Sequence, residues 1–211
     1  MSKQSSKIAA TYKSADTEEP IDIYFYRPIG YWWALLAKRL HITPNTITIV
    51  SIFIGAFAGF LFYQPDLLIN IAGMLLLMLA NSLDSADGQL ARMTNNKTKL
   101  GRILDGLAGD VWFIIIYVVL VLRCLNQGWD STLVWSVGIL AGLSHIVHAS
   151  TADYYRNIHL YFLHYGKGGE FDNTRQIKEE IKSISWRNPI KKIMLFFYFG
   201  YTNQQEMLTP R

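Results

Sequence analysis

Apolar stretches recur four times along the chain, each bounded by a short polar connection. Ile47 to Tyr63 and Leu67 to Leu83 each run for 17 residues without Asp, Glu, Lys or Arg, and Leu133 to Ala152 runs for 20. A further stretch from about Ile103 to Leu125 is equally apolar but begins with Asp105 and Asp110. A membrane-spanning helix needs about 17–25 predominantly apolar residues, so the pattern predicts four transmembrane helices. Thr43 before Pro44 is a capping residue followed by a proline suited to a first helical turn. Gln64-Pro65-Asp66 and Asn126 to Ser131 read as tight turns, and Met93 to Arg102 as a polar loop. The fold class predicted is an all-α integral membrane protein, its transmembrane bundle lying within residues 43–163.

The flanks have a different pattern. Residues 1–20 are polar with mixed charge, hold no apolar core for a cleavable signal, and read as a flexible tail. Residues 21–42 are rich in aromatics, and Arg27, Pro28 and Gly30 break them too often for a span. They are expected to form an interfacial helix or elbow anchored by Tyr31, Trp32 and Trp33. Residues 164–211 read as a polar, mostly basic segment. A short amphipathic helix is expected near Ile177 to Ile184, and an apolar stretch from Ile193 to Tyr201 is too short to cross a bilayer.

Composition agrees with this reading: 51% of residues are hydrophobic and 14% aromatic, and the mean hydropathy is +0.16. The net charge of +4 points to no nucleic acid, because its distribution explains it. With four spans, 19 of the 20 Lys and Arg fall on one side of the membrane and only Arg123 on the other. By the positive-inside bias both ends of the chain, and the loop after the second span, face the cytoplasm. The single Cys124 allows no intramolecular disulfide. His145 and His148, one turn apart, read as a helix-packing pair rather than metal ligands.

The chemistry is concentrated at the ends of two spans. Asp84 and Asp87 close the second, and Asp105 and Asp110 open the third. A carboxylate at the centre of a membrane helix costs about 2.5–3.5 kcal/mol on insertion scales and normally faces a partner, a cavity or a metal. At about 100° per residue Asp84 and Asp87 share a face with Gly88 and Ala91, which leave room for a polar ligand. Hard oxygen ligands suit Mg²⁺ or Mn²⁺, and two such ions about 3.5–4 Å apart serve in-line phosphoryl displacement. A carrier or channel would instead place its carboxylates at mid-membrane and show an internal repeat. No repeat is visible.

Asp84-x-x-Asp87-Gly88-x-x-Ala91-Arg92, then Gly101-x-x-x-Asp105, resembles the signature of the CDP-alcohol phosphotransferases in residue type and spacing. Thr43-Pro44-Asn45-Thr46-Ile47-Thr48 is similar to the segment that opens the family's first span. The family places a fourth aspartate four positions after the third, where this chain has Gly109, with Asp110 one position later. In a regular helix Asp110 points about 140° from Asp105. A single π-bulge, made easier by Gly106 and Gly109, would return it to the site. Without the bulge it faces elsewhere, and a water or another residue does its work.

The resemblance implies that Asp84, Asp87, Asp105 and Asp110 hold two Mg²⁺ or Mn²⁺ ions. It also implies that Asp110 takes the proton of an acceptor hydroxyl. Asn45, Thr48, Gly88, Ala91 and Arg92 are then candidates to meet the cytidine nucleotide, although Asn45 could equally serve as a cap. Arg156, at the polar end of the fourth span, is a candidate for an anionic acceptor, with snorkelling to headgroups as the alternative. The expected reaction is transfer from CDP-diacylglycerol to inositol, inositol phosphate or glycerol phosphate, with release of CMP. Transfer from CDP-choline or CDP-ethanolamine to diacylglycerol is the other direction known in the family, and a non-catalytic relative is a third reading. Members usually have six spans, so two are expected to be missing at the C-terminal end; a homodimer stays open.

Overall fold

A computed structural model describes residues 18–163, 173–184 and 188–208. Most of the expected tail, residues 1–17, lies outside the described residues, as do Lys167 and Arg187. Among the described residues every regular element is helical. A π-helical turn, Asp22–Tyr26, leads into α1 (Arg27–Arg39). Then follow α2 (Pro44–Leu61), α3 (Leu67–Met93), α4 (Lys99–Asn126), α5 (Ser131–Leu163), α6 (Thr174–Ser183) and α7 (Pro189–Leu208). Helices α2 to α5 are the four long and apolar enough to span a bilayer, and the protein is an integral membrane protein.

Short polar side chains start these helices. Thr43 accepts from Thr46 N at 3.3 Å, Asp66 from Leu68 N and Ile69 N at 2.9 and 3.0 Å, and Thr98 from Gly101 N at 3.0 Å. Each such cap satisfies a backbone donor at the open end of its helix. Three helices end alike. His41 and Asn95 adopt left-handed φ of 56° and 52°, and Gly128 a φ of 85°. The amides of Ile42, Asn96 and Trp129 then return to the carbonyls of Ala37, Ala91 and Cys124. The turn at Asn95 sends the chain from α3 into α4, and so sets the two aspartate-bearing ends side by side.

Of the helix or elbow expected over residues 21–42, the structure has a helix without a break from Asp22 to Arg39, because the π-turn absorbs Pro28. Arg27 N bonds to Asp22 O, five residues back. A proline lacks an N–H and crowds the carbonyl four residues behind it, and widening the turn relieves the clash. The polar loop is shorter than expected: the Thr98 cap starts α4 at Lys99.

The chain divides into two compact units, Met1–Gly142 and Leu143–Arg211. In the first, α2, α3 and α4 meet through small residues. Gly55 accommodates the buried Trp112 indole, whose Nε1 donates to Ile52 O at 3.3 Å. A Cβ at Gly73 would lie 3.1 Å from Ala58 O. Close backbone approach at small residues is how membrane helices gain dispersion contacts without a hydrophobic driving force. Ala80, Ala108 and Trp112 form one core; Ala34, Ala37, Ile47, Ala86 and Leu90 form another that seats α1 on α3. Away from the aspartates, Arg123 Nη1 donates to Phe62 O and Asn70 Oδ1, both at 3.0 Å, and ties α4 to the ends of α2 and α3.

In the second unit Asp153 is a hub. It accepts from Arg156 Nη2 at 2.5 Å, Asn157 Nδ2 at 3.1 Å and Tyr201 Oη at 3.0 Å. Glu206 accepts from Thr174 N and Oγ1 at 3.1 and 2.6 Å, joining α6 to α7. The amphipathic helix expected near Ile177 is α6, with Ile177 fully buried.

Candidate metal centre

Asp84 and Asp87 come from the last turns of α3, and Asp105 from the second turn of α4. Each offers a carboxylate oxygen, and the three oxygens lie within 4.8 Å of one another. Asp87 is buried, Asp84 half-buried and Asp105 exposed, so the cluster opens on the Asp105 side.

Three carboxylates this close repel one another, and burial in a medium of low polarity deepens the cost. Asp84 Oδ1 is shielded from solvent and has no hydrogen-bond partner. An orphaned buried carboxylate oxygen beside two others fits a hard divalent cation, because a cation supplies the missing partner and the missing charge.

The surrounding residues hold the carboxylates in place. The buried Thr48 hydroxyl bonds Asp87 Oδ2 and also approaches Pro44 O at 3.2 Å. A hydroxyl has a single proton, and the ionised carboxylate is the stronger acceptor. Thr48 is therefore placed at Asp87, where it orients a carboxylate of the cluster. Asn45 is placed against α4: a Cβ at Gly101 would lie 2.9 Å from Asn45 Oδ1. That contact gives a structural reason for the glycine. Gly88 lies beneath the Arg92 guanidinium, at 3.3–3.7 Å from where its Cβ would stand. Ala91 is half-buried on the same helix.

Of the two alternatives for Asp110, the regular helix is the one found. Helix α4 is α-helical throughout Lys99–Asn126 and shows no π-bulge. Asp110 is exposed and stands outside the three-carboxylate cluster. The physical reason is the regular register, which turns it about 140° from Asp105. The π-helical turn is instead at Asp22–Tyr26, where a proline demands it. Arg156 belongs to the second unit, where its guanidinium pairs with Asp153. Among site neighbours, sequence reasoning missed Gln89 and the Glu18–Arg27 pair. Gln89 is fully buried, and its Nε2 donates to Arg27 O at 3.0 Å. A lone glutamine between Gly88 and Leu90 in an otherwise buried turn was the available signal.

With three carboxylates converging from the two signature segments, comparison with known proteins is decisive. The profile of the CDP-alcohol phosphatidyltransferases matches residues 41–162. The chain belongs to that family. Similar relatives include ethanolaminephosphotransferase 1 of Homo sapiens, 29% identical over 134 residues, 56% of this chain and 32% of that protein. A bifunctional IPC transferase and DIPP synthase of Aquifex aeolicus is 30% identical over 161 residues, 75% and 33% of the two chains. Archaetidylinositol phosphate synthase of Pyrococcus horikoshii is 34% identical over 99 residues, 47% and 50%. The aligned part thus spans a third to a half of these relatives' lengths.

Proposed function

We propose that this member of the family transfers a phosphatidyl group from CDP-diacylglycerol to a small alcohol and releases CMP. Inositol, inositol phosphate or glycerol phosphate is the favoured acceptor. The observation that carries the reading is the convergence of Asp84, Asp87 and Asp105 around an orphaned carboxylate oxygen within the family signature. One relative above is named archaetidylinositol phosphate synthase, which supports the acceptor class. The relative named ethanolaminephosphotransferase supports a second reading, transfer from CDP-ethanolamine to diacylglycerol.

In this proposal Asp84, Asp87 and Asp105 hold Mg²⁺ or Mn²⁺, two ions in the family arrangement. Bound there, divalent cations supply Lewis-acid neutralisation of the diphosphate. The chain's own residues do the remaining work. Thr48 fixes Asp87. Gly88 and Gly101, without side chains, leave room for the Arg92 guanidinium and the Asn45 amide beside them. Asp110 stands outside the metal-holding set: about 7.5 Å of helical rise and 140° separate it from Asp105. A general base must come within hydrogen-bond reach of the hydroxyl it deprotonates, and that register does not provide it beside the cluster. The bias of basic residues supports a cluster that faces the cytoplasm, within reach of a soluble acceptor.

The test is incubation of membranes containing the full chain with labelled CDP-diacylglycerol and each acceptor in turn. CDP-ethanolamine with diacylglycerol is run in parallel. CMP release and an acceptor-dependent lipid product are expected in the first series. Product only in the parallel arm would select the second reading, and no CMP in any arm would reject both.

A further inference from the structure

The segment before α1 brings a second set of charges to the aspartate cluster. Arg27 Nε donates to Glu18 Oε2 at 2.8 Å and Nη2 to Oε1 at 2.7 Å, a two-point fork. The side chains are only 16% and 4% exposed, so this is no solvated surface pair. The Arg27 backbone is fastened to the turn that carries the aspartates. Gln89 Nε2 bonds its carbonyl, and a Cβ at Gly30 would come within 3.1 Å of Gln89, Ser85 and Ala86. The charge of Arg27 acts on both Asp84 and Arg92, and that of Glu18 acts on Arg92. Arg92 has its Nε shielded from solvent and without a hydrogen-bond partner.

The Glu18 carboxylate therefore sits on the Arg27 fork, and Arg92, with its unpartnered Nε, stands within the field of both charges. A buried guanidinium needs an anion, and a carboxylate on its fork has the geometry a phosphate would adopt. Glu18 carries one negative charge against two positive ones, so a phosphate that binds both arginines would be favoured over it.

We infer that Arg27, together with Arg92, is a phosphate-binding group of this site and that Glu18 is an intramolecular stand-in displaced when substrate arrives. The inference rests on the phosphotransferase reading. The phosphate comes either from the cytidine nucleotide of the donor or from a phosphorylated acceptor, and the experiment separates the two.

The experiment uses the purified full chain with Mn²⁺ and measures the inhibition constant of CMP and the KM of glycerol 3-phosphate. The variants are Glu18→Gln, Arg27→Gln and the double variant. If Glu18 occupies Arg27 in about nine of ten molecules, Glu18→Gln tightens the phosphate ligand about tenfold. Arg27→Gln weakens the same ligand and cancels the gain from Glu18→Gln in the double variant. A shift confined to CMP assigns the donor phosphate; one confined to glycerol phosphate assigns the acceptor. Because Mn²⁺ binding depends on the aspartates, a retained Mn²⁺-induced thermal shift shows that each variant is folded. No tightening in Glu18→Gln, or weakening in both single variants, overturns the inference while wild-type CMP release leaves the parent reading intact. Absence of that release in wild type would remove the parent reading instead.

Discussion

Thr48 reaches Asp87 from the first turn and a half of α2, where the preceding cap at Thr43 and Pro44 sets the direction of the helix. Because the hydroxyl is buried and bonds a carboxylate of the three-aspartate cluster, its loss should alter that carboxylate rather than the fold. Thr48→Val is expected to weaken Mn²⁺ binding about 10–100-fold, as removal of outer-sphere partners does, while Thr48→Ser restores most of it. Titration of Mn²⁺ by electron paramagnetic resonance checks this, and equal binding by Thr48→Val would refute it. Asp110 gives a second prediction. Asp84→Asn, Asp87→Asn and Asp105→Asn should abolish CMP release, whereas Asp110→Asn should stay within about threefold of wild type, since a group outside hydrogen-bond reach contributes no general-base term. A loss of about a hundredfold or more in Asp110→Asn would mean that α4 rewinds on binding substrate. The three clustered aspartates were legible because their spacing is local and lies within a signature. The partners of Thr48, Gln89 and Arg27 are 39, 62 and 9 residues away in the chain, and no periodicity reports such contacts.

Among the helices, apolar runs predicted how many there are and in what order, but not where they end. Helix α5 continues to Leu163, past the last apolar residue counted at Ala152, because Asp153-Tyr154-Tyr155-Arg156 are acceptable helix formers once the helix exists. Helix α4 starts early because Thr98 caps it. Helix α7 extends over 20 residues around an apolar core of only nine, for the same reason as α5. Proline was read as a break at Pro28, yet a π-turn accommodates it at the cost of one widened turn. The glycines were legible as small but not as paired with particular neighbours. Gly55 shows what that pairing is worth: the Trp112 indole occupies the place a larger side chain would need. Gly55→Val is expected to destabilise the bundle by about 1–3 kcal/mol through overpacking between α2 and α4. A thermal melt followed by tryptophan fluorescence would register it, and an unchanged midpoint would show that the helices can part without penalty.

For the whole molecule, the cluster couples cation binding to stability and the loops couple charge to orientation. Three carboxylates held within 4.8 Å repel one another without a cation, and a ligand that binds only the folded state adds about 2.7 kcal/mol at a hundred times its dissociation constant. Mn²⁺ should therefore raise the melting temperature of wild type but not of Asp84→Asn, and a chelator should reverse the gain. Orientation follows from where the basic residues fall. The turn at Asn95 and the Thr98 cap place Asn96 on the aspartate side of α3 and α4, whereas Gln127 follows the far end of α4, beyond the Arg123 clasp. Arg92, Lys97, Lys99 and Arg102 lie on the Asn96 side and Arg123 at the far end, so the Asn96 side should be cytoplasmic. In a Cys124→Ser background, an impermeant maleimide added to intact cells should label Gln127→Cys and not Asn96→Cys, with the reverse in inverted vesicles. If Asn96→Cys were labelled from outside, the carboxylates would face away from the soluble acceptor pool. The same bundle would then require its acceptor to be delivered from the opposite side of the membrane.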